Sequence, residues 1–241
     1  MQSVIFKDLG VIDYKTAWDY QEKLLQENVA VKTAIRNDPC QAERIDTQHY
    51  FLLCEHSPVY TLGKSGDMKN VLMNEEELQA AKIQFFKTNR GGDITFHGPQ
   101  QIVGYPILDL EKIYTDIGKY LRNLEEVVIL SLAEYGIAAG RSEGETGVWM
   151  DADIKGSERK ICAIGVRCSR WITMHGFALN VNTDLNYFKN IIPCGIENKQ
   201  VTSIEKELGR KIDFEEAKYK IKENFIKVFD AEFMMEETEA L

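Results

Sequence analysis

Cys194 lies between Pro193 and Gly195 in the stretch IIPCGIEN, residues 191–198. Proline fixes one backbone torsion and glycine leaves room on the other side, so the sulfur belongs to a tight loop and not to a helix interior. A cysteine placed this way is either a presented nucleophile or a buried filler, and its neighbours leave both open. Disulfide and structural-zinc roles are weak, because the five cysteines are an odd number and form no CxxC pair. Lys160 opens the apolar run KICAIGVRC, where a lysine is ordinarily a strand end that keeps its ammonium in water. Cys162 and Cys168, in the same run, read as small core residues.

Two further stretches can hold a ligand. In RGGDITFHG, 90–98, the glycines let backbone N–H groups come close to a bound molecule, and Arg90 offers a forked donor set to an acid or phosphate. A plain Gly–Gly turn with a surface arginine fits the same residues. The stretch is neither GxGxxG nor GxxxxGK[ST], so no dinucleotide or phosphate-loop nucleotide is expected. His97–Gly98 and His175–Gly176 repeat one dipeptide in separate segments, which suggests two imidazoles at one cleft. With no carboxylate at ligand spacing, no metal site is expected.

These residues need a scaffold. Residues 2–8 read as a strand. Asp13 caps a helix that runs to about Glu27, with Ala17, Trp18, Tyr20, Leu24 and Leu25 at helical spacing. Strands are expected at 49–56, 59–63 and 83–89, with a short helix at 75–82 capped by Asn74. Residues 90–110 alternate loop and strand. Ile117, Tyr120, Leu124, Val127, Val128 and Leu132 mark an amphipathic helix over 115–135. Successive strands fill 147–182, interrupted by a hairpin tip at DADIKGSE, 151–158. Helices near 203–208 and 213–229 follow, the last with Phe214, Ala217, Ile221, Phe225 and Val228 inward. Strands and helices intersperse without strict alternation, so the class is α+β, a mixed sheet flanked by helices. No composition shift divides residues 1–241, which read as a single domain with an acidic tail frayed from about 234 to 241.

A chain of 241 residues can bury a substantial core. The net charge of −9 argues against nucleic acid as a partner. The N-terminus lacks a secretory pattern and no apolar run reaches the length of a membrane span, so a cytoplasmic protein with no membrane association is expected.

Taken together, RGGDITFHGPQQIVGYPILDL, GVWM, KICAIGVRCSRWITMHGFALNVNTDL and IIPCGI resemble the octanoyltransferases of lipoate biosynthesis, the LipB family. The matching segments run in the family's order from about 90 to 196, and EHSPVYTLGK upstream also fits. The resemblance implies a fold like the catalytic domain of lipoate and biotin protein ligases. It implies transfer of octanoyl from octanoyl-acyl carrier protein to a lysine of a lipoyl domain, in 2-oxoacid dehydrogenases or the glycine cleavage H protein, without a cofactor. It also implies Cys194 as the acyl acceptor and Lys160 as its activating partner. Substrate contacts would fall on Arg90, Gly91, Gly92, Asp93, Ile94, Thr95, Phe96 and His97. Others would fall on Ala163, Ile164 and Gly165, and on Gly176, Phe177 and Ala178, with His175 in support. One departure is Gln100, which replaces the family's glycine in HGPGQ; a positive φ there would cost about 1 kcal/mol.

The chemistry suits these residue types. Thioester exchange onto a cysteine is nearly isoenergetic, and attack by an amine then gives a more stable amide without ATP. A nearby cation lowers a thiol's pKa, while a neutral lysine can take a proton from the incoming amine. Backbone N–H groups near Gly91–Gly92 or Gly176–Ala178 are candidate oxyanion donors, and an apolar slot would bury the acyl tail. Three other functions fit the same segments less fully. They are octanoyl amidotransfer between lipoyl-domain proteins, an ATP-dependent lipoate or biotin ligase, and a non-catalytic module that binds lipoyl domains.

Overall fold

A computed structural model describes residues 1–192 and 200–235. Cys194 and the end of the acidic tail, 236–241, lie outside the described residues.

The larger sheet takes its strands from the whole length of the chain. Its central order is β1 (Gln2–Val11), β2 (His49–Glu55), β6 (Gln101–Ile107), β9 (Ile172–Asn180) and β8 (Arg159–Ser169). β1 runs parallel to β2, and β2, β6, β9 and β8 are successively antiparallel, so the sheet is mixed. β11 (Ala231–Met235) closes the far edge parallel to β1. Met234 and Met235, the first two residues of the tail expected to fray, pair with Ile5 and Phe6. At its start β8 is flanked by β7 (Val148–Met150), antiparallel, and β10 (Gln200–Val201), parallel. β7 and β8 form the expected hairpin around residues 151–158. A smaller sheet holds β3 (Val59–Leu62) between β4 (Gln84–Lys87) and β5 (Ile94–His97).

Side chains alternate faces along a strand, and β2 shows what that does. Phe51 and Leu53 enter one cluster with Tyr120, Leu124, Val127 and Val128 of α3 (Ile117–Ala133) and Ile221, Phe225 and Phe229 of α5 (Phe214–Phe229). Leu52 and Cys54 enter another, with Ala17, Leu24 and Leu25 of α1 (Tyr14–Asn37). Two helices therefore cover one face of the sheet and one covers the other. A third cluster, around Tyr60, Phe96 and Phe188, sits against the small sheet.

The helix signals act locally as read. The Asp13 carboxylate accepts from Thr16 N at 3.0 Å, and Asn74 forms a reciprocal capping box with Glu77 on α2 (Glu75–Ala80). α1 runs ten residues past the expected end, to Asn37, with Ala30, Lys32, Ala34 and Arg36 favouring helix among β-branched neighbours, and stops two residues before Pro39. α4 (Ile204–Leu208) ends on Gly209 in the left-handed region. Among the described residues no helix is long and apolar enough to cross a membrane.

Candidate active site

The RGG loop is held between two supports. On one side, Gly63 N donates to Asp93 O at 3.1 Å, Lys64 N to Arg90 O at 2.9 Å and Ser65 N to Gly92 O at 3.1 Å. On the other, Gly91 N donates to Val166 O of β8 at 2.9 Å. Gly63 is required, because a Cβ there would overlap Gly92 O. The TLGK and RGG stretches are thus one interlocked unit. Arg90 is buried and its guanidinium is turned inward: it donates to Thr61 Oγ1 at 2.9 Å, to Thr61 O, and to Gly91 O at 3.0 Å. These bonds fix the loop from within.

Beneath this loop, bounded by β5, β8 and β9, is a cavity of about 230 Å³. It gathers Lys160, Ala163, Ile164 and Gly165 of β8 with His175, Gly176, Phe177 and Ala178 of β9. Arg90, Gly92, Asp93, Ile94, Thr95 and His97 also line it. Two expected contacts do not. Phe96 points away into the third cluster, where its ring stacks on Tyr187 with centroids 4.5 Å apart, and Gly91 faces β8. Tyr14, Gln101 and Tyr105 line the buried end, while Gly144, Glu145 and Thr146 line the more open end with Lys160. Sequence reading missed all six. Tyr14 directly follows the capping Asp13 and carries no local signal of its own, and nothing in GETG distinguishes it from a surface turn.

The cavity's buried end is polar, with amides and imidazoles beside the buried Arg90 charge. His97 Nδ1 pairs with Gln101 Oε1 at 2.9 Å, and Gln101 Nε2 donates to Asn180 Oδ1 at 2.8 Å. His175 Nε2 pairs with Asn89 Oδ1 at 2.7 Å; its backbone, at φ 57, donates to the buried Gln21 of α1. Behind them His56 bridges Tyr105 Oη at 2.7 Å and Ile12 O at 2.8 Å. Burial holds His56 at about 4 and His175 at about 3, with the Arg90 charge adding to the second, and pushes His97 well below its ordinary value. The two His–Gly histidines do meet at one cleft, as neutral imidazoles.

Of the backbone donors expected for an oxyanion, those of Gly91, Phe177 and Ala178 are already used. Gly91 N–H belongs to Val166 O. Phe177 and Ala178 sit between two ladders, facing Gly104 and Val103 on β6 and Ile164 and Ala163 on β8, so their N–H groups are part of the sheet.

Lys160 stands at the open end. It is half-buried, in register with Trp149 of β7, and its Nζ lies 4.5 Å from the indole ring centroid. On the opposite side Val201 of β10 is its register partner, Thr202 N donates to Lys160 O at 3.0 Å, and Val201 lines the cavity as well. The segment that carries Cys194 leaves the described structure after Ile192, whose N–H is bound to Asn70 O at 2.9 Å. It re-enters at Gln200, whose N–H is bound to Glu158 O at 3.2 Å.

Comparison with known proteins gives a consistent answer. The family model described as the lipoyl protein ligase A/B catalytic domain matches residues 13–226. A protein of Christiangramia forsetii named octanoyltransferase is 57% identical over 232 residues, 96% of this chain and 97% of its own. One of the same name from Flavobacterium johnsoniae is 57% identical over 234 residues, 97% and 99% of the two chains. Among solved structures, the putative lipoate protein ligase Ta0514 of T. acidophilum superposes with a TM-score of 0.67 at 13% identity, over 98% of this chain and 88% of its own. A lipoate-protein ligase A bound with ATP gives 0.66 at 14%, over 98% and 89%. At these identities the two structures speak for the fold alone.

Proposed function

Because the chain belongs to the lipoyl protein ligase A/B catalytic-domain family and matches octanoyltransferases over nearly its whole length, we propose that it is an octanoyltransferase that loads octanoyl from acyl carrier protein onto Cys194 and passes it to a lipoyl-domain lysine. The observation that carries this reading is the pairing of Val201 with Lys160 at the mouth of a cavity walled by the RGG loop and the HGFA strand. Cys194 is six positions along the chain from Gln200, the neighbour of Arg159 on β8. At roughly 3.5 Å per residue, that tether keeps the thiol within about 20 Å of the strand.

The proton accounting closes with these two side chains. Cys194 as thiolate and Lys160 as ammonium form the resting pair. The thiolate attacks the donor's thioester carbonyl, the carrier's sulfur leaves, and Lys160 gives it a proton. Lys160 is then neutral and takes the proton of the acceptor amine as that amine attacks the Cys194 thioester. The amide leaves, and the thiolate–ammonium pair is restored. The Trp149 face attracts the ammonium by about 0.5–2 kcal/mol and so holds it at the cavity mouth. The chain lies in the cavity: burial of seven methylene and methyl groups at about 0.8 kcal/mol each would contribute several kcal/mol. Ala163, Ile164, Phe177 and Ala178 supply apolar wall for it.

Intact-protein mass spectrometry after exposure to octanoyl-acyl carrier protein tests the proposal. The wild type gains one octanoyl group, Cys194→Ser gains none, and a lipoyl domain added afterwards takes the group off. A full adduct on the serine variant would remove Cys194 from the reaction. Loading only from an octanoylated lipoyl domain would make the enzyme an amidotransferase.

A further inference from the structure

α3 carries a glutamate that its amphipathic pattern places on the wrong side. Glu125 is fully buried, beside Leu124, Val127 and Val128. A carboxylate there is costly unless its oxygens are all used. Oε2 accepts from Arg122 Nη1 at 2.6 Å and from Arg141 Nε at 3.0 Å, and Oε1 accepts from the backbone N–H of Gly147 at 3.0 Å. Both arginines stay partly exposed and keep part of their hydration. The cluster therefore ties the two ends of the segment 141–147 to one point on α3. Gly144, Glu145 and Thr146, between those ends, line the cavity mouth.

Gly147 is where this tie meets the reaction. Its φ is 120°, and a Cβ on it would lie 2.6 Å from Cys162 O, 3.5 Å from Lys160 Cε and 3.7 Å from Lys160 Cδ. The lysine stem thus runs along the bare face of Gly147 toward the Trp149 ring two residues later. We infer that Glu125 is a positioning residue for acyl transfer: by fixing Gly147 it sets the path of the Lys160 stem and keeps the ammonium over Trp149. The inference rests on the role given to Lys160 above.

The test reads the Cys194 thiol directly, through the pH dependence of its alkylation by a small reagent that does not need the acyl slot, alongside single-turnover loading with octanoyl-acyl carrier protein. Lys160→Ala sets the scale by moving the alkylation profile to higher pH. Glu125→Asp keeps the charge but is one methylene short of Gly147. It should move the profile at least half of that distance and slow loading at least tenfold. Glu125→Leu, where it folds, should do the same. Glu125→Gln should behave as Asp does, because its one amide oxygen turns to the two guanidiniums and leaves an NH2 against the Gly147 N–H. Val128→Ala, which loosens α3 without touching the cluster, should lower the melting temperature and leave the profile in place. A folded Glu125→Asp or Glu125→Gln enzyme with the wild-type profile and loading rate would overturn the inference. If Lys160→Ala itself leaves the profile unmoved, the failure lies with the role of Lys160, and the two failures are distinguishable.

Discussion

Lys160 and Trp149 are register partners across β8 and β7, and the ammonium stands 4.5 Å from the centre of the indole ring. An ammonium over an aromatic face gains about 0.5–2 kcal/mol, which the neutral amine does not. Removing the face should therefore loosen the hold on the ammonium at the cavity mouth, where the proposed thiolate needs it. Trp149→Leu is expected to lower the single-turnover loading rate by about two- to thirtyfold, while Trp149→Phe, which keeps a ring, should retain most of it. Loading that is the same in the Leu and Phe variants, at matched folded fraction, would show that the indole serves only the core.

Much of this site could be read from the chain because its parts are local. The RGG, GVWM, KICAIG and HGFA segments each form a strand or the loop that feeds one, and the apolar run of β2 is buried on both faces, with Phe51 and Leu52 on opposite sides. What was hidden is non-local. Gly91 looked like an oxyanion donor until β8 was seen to take its N–H, and a strand paired on both sides, like β9 at Phe177, cannot be recognised without its neighbours. The pairing of β1 with β11 joins Gln2 to Ala231 and leaves no local mark at either end. Glu125 is the clearest case: a glutamate in an amphipathic helix reads as surface, and only Gly147 and two arginines reveal otherwise.

Gln100 occupies the left-handed region at φ 62, where glycine is ordinarily preferred. Its backbone is held there by four hydrogen bonds and its side chain by a fifth. Gln100 N donates to the Glu55 carboxylate at 2.7 Å, while its carbonyl accepts from Val181 N, Asn182 N and Thr183 Oγ1, and its side-chain Oε1 accepts from Asn182 Nδ2 at 2.8 Å. Glycine would relieve roughly 1 kcal/mol of strain but lose the Asn182 bond and add freedom to the unfolded chain, each about 1 kcal/mol. Gln100→Gly should therefore lie within about 1 kcal/mol of wild type in urea unfolding. Gln100→Val, β-branched at positive φ, should be destabilised by about 1–3 kcal/mol. A Val variant as stable as wild type would mean that the loop adopts another backbone in solution.

Acid should loosen the fold through its histidines. His49 and His56 are held at about 4 and His175 at about 3, all by burial, against 6.5 in an unfolded chain. Between those values and 6.5 the unfolded state binds more protons, so unfolding free energy rises with pH. The contribution is complete above pH 6.5 and is lost as pH falls toward about 4, by up to about 1.4 kcal/mol per pH unit for each histidine. Urea midpoints measured from pH 7.5 down to 4.5 should be level at first and then drop steeply below 6.5. A midpoint that stays level down to pH 5 would mean that these imidazoles are not buried in neutral form.

The width of the cavity can be altered from behind. Gly104 of β6 lies under Phe177, and a Cβ at Gly104 would overlap the tip of the Phe177 ring, the movable end of a side chain and not backbone. Its φ is not in the left-handed region, so alanine brings no backbone strain, only the need for the ring to give way. The ring is packed between Phe51 of the core, at 6.3 Å, and the cavity it lines, and the close-packed core yields less readily than an open slot. Gly104→Ala should therefore push Phe177 into the slot, at a stability cost of about 1–3 kcal/mol. The transfer of octanoyl should fall more than that of butanoyl, read as the ratio of kcat/KM for the two carrier-bound donors. Gly176→Ala is the contrast: its Cβ would overlap the Gly104 carbonyl, which cannot swing aside, so that variant should lose the sheet register and fail to fold. An unchanged octanoyl-to-butanoyl ratio in a folded Gly104→Ala enzyme would show that the acyl chain does not run past Phe177.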